Sequence, residues 1–276
     1  MSWLLEDTLR RAIVEAVAVG VLTGLVGVHV VLRRLSFFTM SMSHATFPGV
    51  VAASLLGVNI YLGGVLAGLL AAAAVAGLSR ARGQEATAAT GVILSAGFAL
   101  GVGLVATQNG FSRDLSSFLV GSILTVSTRD LIATMAVLAL VATALLLGGR
   151  RLAYVGFDPA GARAAGHPTW LIDLGLLVLV ELVVVAVVPA VGTILALALI
   201  VAPAAAARAW TDRLAPMTAL AVAFGVGSAA AGLWLSWYAE VAAGGSISLA
   251  ATGVLLVSLA ATSLRDRLRA ARPAAA

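Results

Sequence analysis

What most constrains this chain is the recurrence, almost end to end, of apolar runs about 20 residues long, separated by short segments that carry arginine. A run of that length spans the hydrocarbon of a bilayer as a helix. In lipid the backbone has to satisfy its own hydrogen bonds, so helices are what such runs form. The hydrophobic share is 61% and the mean hydropathy +1.08, beyond the roughly 45–50% apolar share of soluble domains. The expectation is an all-α polytopic membrane protein of about eight or nine transmembrane helices, forming one domain over residues 1–276 with no room for a sizeable soluble one.

Two absent residue types exclude whole classes. Without lysine there is no Walker A phosphate loop. The chain is therefore expected not to be an enzyme, and any ATP hydrolysis belongs to a separate polypeptide. Without cysteine there are no disulfides and no thiolate ligands. The net charge of +5 does not indicate nucleic acid, because the arginines stand at helix ends. Met1 to Thr8 is acidic and lacks the basic start of a cleavable signal, so the first span is expected to stay in place.

In order, the spans fall at about 12–32, 36–58, 60–78, 86–106, 131–147, 170–188, 192–209, 216–238 and 247–263. The piece 115–126 is too short to cross and reads as interfacial or re-entrant. This layout puts thirteen arginines on one side (33, 34, 80, 82, 150, 151, 163, 208, 213, 265, 267, 269 and 272) against four on the other (10, 11, 113 and 129). The bias predicts an external amino terminus and a cytoplasmic carboxyl terminus. Pairs of small residues four apart (Gly20 and Gly24, Gly64 and Gly68, Gly97 and Gly101) predict close helix packing.

Within the second span, Leu35 to Gly49 (LSFFTMSMSHATFPG) places Met40, His44 and Pro48 one turn apart on a single face. Pro48 has no N–H, so the helix should bend there and leave the His44 carbonyl without its usual donor. An imidazole, a thioether and a carbonyl on one stripe make a candidate ion path; a packing histidine beside an ordinary kink accounts for the same residues. Glu181 is the one acid expected deep in a span, either as an ion relay or as a neutral, hydrogen-bonded group. His29 and His167 read as structural and surface residues. Pro189 and Pro203 free carbonyls that could shape a cavity wall. The polar insertion 156–168 (GFDPAGARAAGHP) reads as a short helix capped by Asp158, begun at Pro159 and stopped by Gly166 and Pro168. It is either a plain capped loop or a grip for a partner protein.

The segment LSFFTMSMSHATFPGVVAA resembles the second-helix signature of the permeases of bacterial ATP-binding-cassette importers for zinc, manganese and iron. The similarity continues in GVILSAGFALGVGL (91–104), FLVGSILTVSTRDL (118–131), FDPAGARAAGHP (157–168) and AVGTILALALIVAPAAAAR (190–208), in the same order along nearly the whole chain. What the resemblance implies is a type II importer permease of the bacterial cytoplasmic membrane that pairs with a second copy of itself. Two ATPase subunits would dock on it, and it would receive metal from an extracytoplasmic metal-binding protein. It implies a coupling helix at about 157–167, with Phe157, Asp158, Pro159, Ala162, Arg163 and Gly166 meeting the ATPase. It also implies that His44 faces the metal path, with Met40 and Glu181 as further candidate ligands. The metal is then cargo, and no cofactor is held permanently. Where the family usually has an acid, this chain has Met40, a softer ligand without charge to offset a dication. Another group supplies the anion, or the cargo is softer than zinc or manganese, or the passage binds metal weakly.

Two other functions compete. An ion-coupled secondary metal transporter would use Glu181 and His44 as titrating groups and need no partner. An intramembrane hydrolase built on Ser43 and His44 is geometrically poor, because adjacent helix positions do not face each other.

Overall fold

The computed structural model describes residues 2–81, 86–107, 121 and 123–270. Every regular element among them is helical: α1 (Ser2–Leu32), α2 (Ser36–Ala45), α3 (Phe47–Leu55), α4 (Ile60–Ala81), α5 (Ala86–Ala106), α6 (Thr128–Phe157), α7 (Pro159–Ala164), α8 (Thr169–Val191), α9 (Thr193–Trp210), α10 (Leu214–Ala239) and α11 (Ala243–Ala270). A single 3-10 turn, Ile123–Thr125, precedes α6. Most of the expected re-entrant piece 115–126 lies outside the described residues. Among those residues, six helices are long and apolar enough to cross a membrane. Two shorter apolar helices, Ile60–Val75 and Ala196–Trp210, fall below that length. Of the expected eight or nine crossings, six meet that length and composition among the described residues, and α2–α3 divides the second expected span into two pieces.

The helices are not equivalent. In α1, 72% of the most apolar stretch is buried and in α8 56%, against 11% in α6. Thus α1 and α8 are the core, and α6 is an outer helix. Val19, Leu22 and Val26 of α1 meet Val180, Val183, Val184 and Val187 of α8, Leu199 and Ile200 of α9, and Met42 of α2 in one buried cluster. Outward positions are equally apolar: Leu146 is 85% and Leu147 82% exposed. A soluble protein could not carry that surface, whereas lipid requires it. Trp234, Trp237 and Tyr238 crowd one end of α10, as aromatic side chains do at a membrane interface.

The small-residue pairs do pack helices. A Cβ on Gly20 or Gly24 would come within 2.7 or 2.6 Å of the backbone of Val226 or Val222, so α1 and α10 touch main chain to main chain. Gly49 of α3 and Gly63 of α4 face each other in the same way, each Cβ position lying 2.2–2.3 Å from the other's carbonyl oxygen. Gly97 and Gly101 of α5 receive Ala45 and Phe47.

The fifth span runs further than expected, from Thr128 to Phe157 rather than 131–147. Ser127 and Asp130 form a reciprocal capping box at its start, the Asp130 carboxylate accepting from the Ser127 amide at 2.9 Å. At its far end Asp158 leaves helical conformation (φ −138°, ψ 79°), which separates α6 from α7. The short helix is consequently 159–164, and Phe157 ends α6. Its cap is the expected one: the Gly161 amide donates to the Asp158 carboxylate at 2.8 Å, and Pro159 opens the first turn. Gly166, at φ 79°, supplies the left-handed stop, and the His167 amide returns to the Ala162 carbonyl at 3.0 Å.

Candidate functional site

The second span is interrupted at Thr46, where α2 ends and α3 begins, with Pro48 in the first turn of α3. Proline accounts for only part of the break. Thr39, Ser43 and Thr46 each donate their hydroxyl to the carbonyl four residues back, those of Leu35, Thr39 and Met42. Such back-bonding bends helices, and here it recurs along one side of α2. Sequence reasoning placed the bend at Pro48 alone; the Ser/Thr spacing was its unused signal. Ser41 points across to α5 and donates to the Thr90 carbonyl at 2.9 Å. These hydroxyls are buried, so the polar residues of α2 fix its shape and its contact with α5. Ser43, 1% exposed and already donating to Thr39, is unavailable as a nucleophile, which removes the hydrolase reading.

The opposite side of α2 is open. Met40 is 36% exposed, and His44 is half-buried with its ring edge-on to Phe98 of α5, centroids 5.5 Å apart. Phe98 in turn lies 6.3 Å from the Phe47 ring at the head of α3. Met40, His44 and Phe98 therefore share one accessible apolar face with a single imidazole on it. Met42 is turned into the core and wholly buried, so the second thioether of the segment is not on this face.

Glu181 lies elsewhere. It is fully buried on α8, and its carboxyl fills the notch left by Gly68: a Cβ there would lie 1.8 Å from Oε1. One turn away on each helix, Val185 and the Thr46 methyl border Gly64. Neither carboxyl oxygen has a hydrogen-bond partner among the described residues. Neighbouring Thr46 spends its proton on Met42 instead. The structure thus sets Glu181 behind the broken helix and His44 in front of it. Among the described residues no three of His, Asp and Glu converge as a metal-holding group.

Sequence reasoning missed a second buried acid. Glu15 on α1 is 1% exposed and accepts from the Thr134 hydroxyl of α6 at 2.7 Å, leaving Oε2 without a partner. Nearby Tyr61 of α4 donates to Asp130 at 2.6 Å. Lying one turn from Arg10 and Arg11, Glu15 reads in the sequence as a helix-end residue; only the packing of α6 over α1 encloses it.

At the other end, Arg33 follows α1 and joins two further helices. It pairs with Asp173 of α8 and donates to the Leu152 carbonyl of α6 at 2.7 Å. Between those helices sits α7. Phe157, Asp158, Pro159, Arg163 and Gly166 are exposed, whereas Ala162 is fully buried and seats the short helix on the body. Tyr154 and His167 close the corner edge to face at 5.8 Å.

The sequence profile described as "ABC 3 transport family" matches residues 6–262. The chain is 36% identical over 244 residues to the "Manganese transport system membrane protein MntC" of Halalkalibacterium halodurans, covering 88% of this chain and 84% of that one. It is 34% identical over 250 residues to the "Manganese import system permease protein ScaB" of Streptococcus gordonii, covering 91% and 90%. To the "Zinc transport system membrane protein TroC" of Treponema pallidum it is 33% identical over 264 residues, covering 92% and 89%. Among solved structures, "PsaBC from Streptococcus pneumoniae in complex with Fab" superposes with a TM-score of 0.84 at 33% identity, covering 94% of this chain and 95% of that one.

Proposed function

The chain belongs to the ABC 3 transport family, and from that membership we propose that it is the permease of an ATP-driven importer of a divalent transition metal, manganese or zinc. The observation that carries the reading is its end-to-end likeness, in sequence and in fold, to permeases of metal transport systems. Nine crossings fit this role, with α2–α3 counted as one broken span and α4 and α9 included. The arginine bias then sets the amino terminus outside and α7 in the cytoplasm.

In this arrangement two copies meet across the face that carries Met40, His44 and Phe98, and the metal passes between them. His44 offers its neutral imidazole as a transient ligand, Met40 a weak soft one. Glu181, behind the break, supports the bent helix from the core and supplies anionic character when ionised. A cargo site with so few donors binds loosely, which suits passage rather than storage. Outside the membrane a metal-binding protein delivers the ion. Inside, two ATPase subunits grip α7 through Phe157, Asp158, Pro159, Arg163 and Gly166, with Ala162 anchoring the helix beneath them. Metal is cargo, and no resident cofactor is required.

Proteoliposomes test the reading. The chain reconstituted with its ATPase and binding protein is expected to accumulate manganese or zinc only with ATP. Accumulation by the chain alone, driven by a proton gradient, would instead establish a secondary transporter using Glu181 and His44.

A further inference from the structure

Helices α6 and α10 both pack on α1, and between them lies a cavity of about 1010 Å3. Leu25 and His29 of α1 form its floor, Leu146 and Arg150 line one wall and Val222 the other. Most of the lining is apolar and the cavity opens on a surface of exposed leucines. Its polar groups gather at one end, where α1 finishes, α6 carries Arg150 and α10 begins at Leu214. Arg150 is exposed and enters no ion pair among the described residues. The amino-terminal end of α10, 26 residues long, adds its own positive potential at the same level. Asp212 and Arg213, both exposed, flank that end with opposite charges.

We propose that this groove holds one anionic phospholipid, its acyl chains along Leu25, Leu146 and Val222 and its phosphate against Arg150 at the start of α10. An apolar space in a membrane has no water to fill it, so lipid chains do. A basic group at the cytoplasmic end of such a space selects an acidic headgroup over a zwitterionic one. The groove is lined by α1, α6 and α10, whereas Met40, His44 and Phe98 stand on α2 and α5. Assignment to the cytoplasmic leaflet rests on the orientation proposed above; the groove itself does not.

The permease–ATPase complex is purified and incubated with phosphatidylglycerol or phosphatidylcholine of identical chains, and bound lipid is counted by native mass spectrometry. One phosphatidylglycerol per copy of this chain is expected, with clear preference over phosphatidylcholine. Equal retention of the two overturns the proposal, because apolar filling alone would then suffice. On the unaltered complex, phosphatidylglycerol with a photoreactive acyl chain should label α1, α6 and α10 around Leu146; labelling confined to other helices also overturns it. Two variants sharpen the result. R150Q should abolish the headgroup preference, whereas R151Q should leave it. G149W should displace the lipid outright, since Gly149 lines the groove and a Cβ there meets nothing within 4 Å. Undiminished phosphatidylglycerol in both R150Q and G149W contradicts the site. The chain lacks cysteine, so R151C can be labelled from one side of intact cells; modification from outside would overturn the leaflet without bearing on the lipid count.

Discussion

A carboxyl group without a hydrogen-bond partner inside a membrane protein is costly, and Glu181 is accommodated by the shape of one neighbour. Gly68 leaves the volume its carboxyl occupies. Gly→Ala within a helix ordinarily gains about 0.5–1 kcal/mol. Here the added methyl collides with a buried side chain, so Gly68→Ala is expected to lose about 1–3 kcal/mol, read as a lower thermal midpoint of the purified protein. In the Glu181→Ala background the same change should recover its ordinary sign; additive effects would mean the two residues do not touch. Arg33 gives a second contrast. Asp173 is half exposed, so Asp173→Asn should cost under about 1 kcal/mol. Arg33→Ala also forfeits the bond to the Leu152 carbonyl and should cost more, on the order of 1.5–3 kcal/mol; equal losses would show that the carbonyl bond contributes nothing. Neither pairing was legible in the sequence, since Gly68 with Glu181 and Arg33 with Asp173 are more than a hundred residues apart.

At the scale of elements, the local physics was readable. Apolar length located the spans, Gly20 with Gly24 marked a close helix contact, and Asp158–Pro159 marked the start of α7. The contact itself is demanding. Gly24→Val places a branched side chain where the Val222 backbone already lies at 2.6 Å, and it should prevent α1 and α10 from docking. Loss of folded protein from detergent extracts is the expected outcome; normal yield and midpoint would mean the helices are free to separate. Readings that depended on neighbours fared less well. Glu15 was passed over because only the packing of α6 encloses it, and the fifth span was cut at Leu147 because Gly148, Gly149, Arg150 and Arg151 read as its end. The helix in fact continues through them to Phe157. At the bend, proline drew attention from the hydroxyls of Thr39, Ser43 and Thr46, whose back-bonds need the helix to exist before they can be seen.

Across the whole molecule, a buried pair of helices, α1 and α8, holds a broken helix whose imidazole side is left open, and an arginine-tied corner carries α7 at one end. In the importer proposed above these parts would serve as a stiff core, a passage with weak ligands, and a handle for a motor on another chain. The family resemblance of the Leu35–Gly49 segment pointed there first, and the relatives agree. In the proposed passage Met40 stands where the family resemblance implies an acid, so that cargo choice would be a property of the whole passage. Met40→Asp should therefore raise uptake of manganese relative to softer ions such as copper(I), measured by competition; an unaltered preference would place Met40 off the path. Most direct is ATP-driven uptake of radiolabelled manganese and zinc by the reconstituted complex carrying His44→Ala. The account predicts a fall of about tenfold or more, the scale on which even the outer partners of a metal ligand act, with assembly and basal ATP hydrolysis retained. Uptake at the unaltered rate by a correctly assembled complex would contradict it.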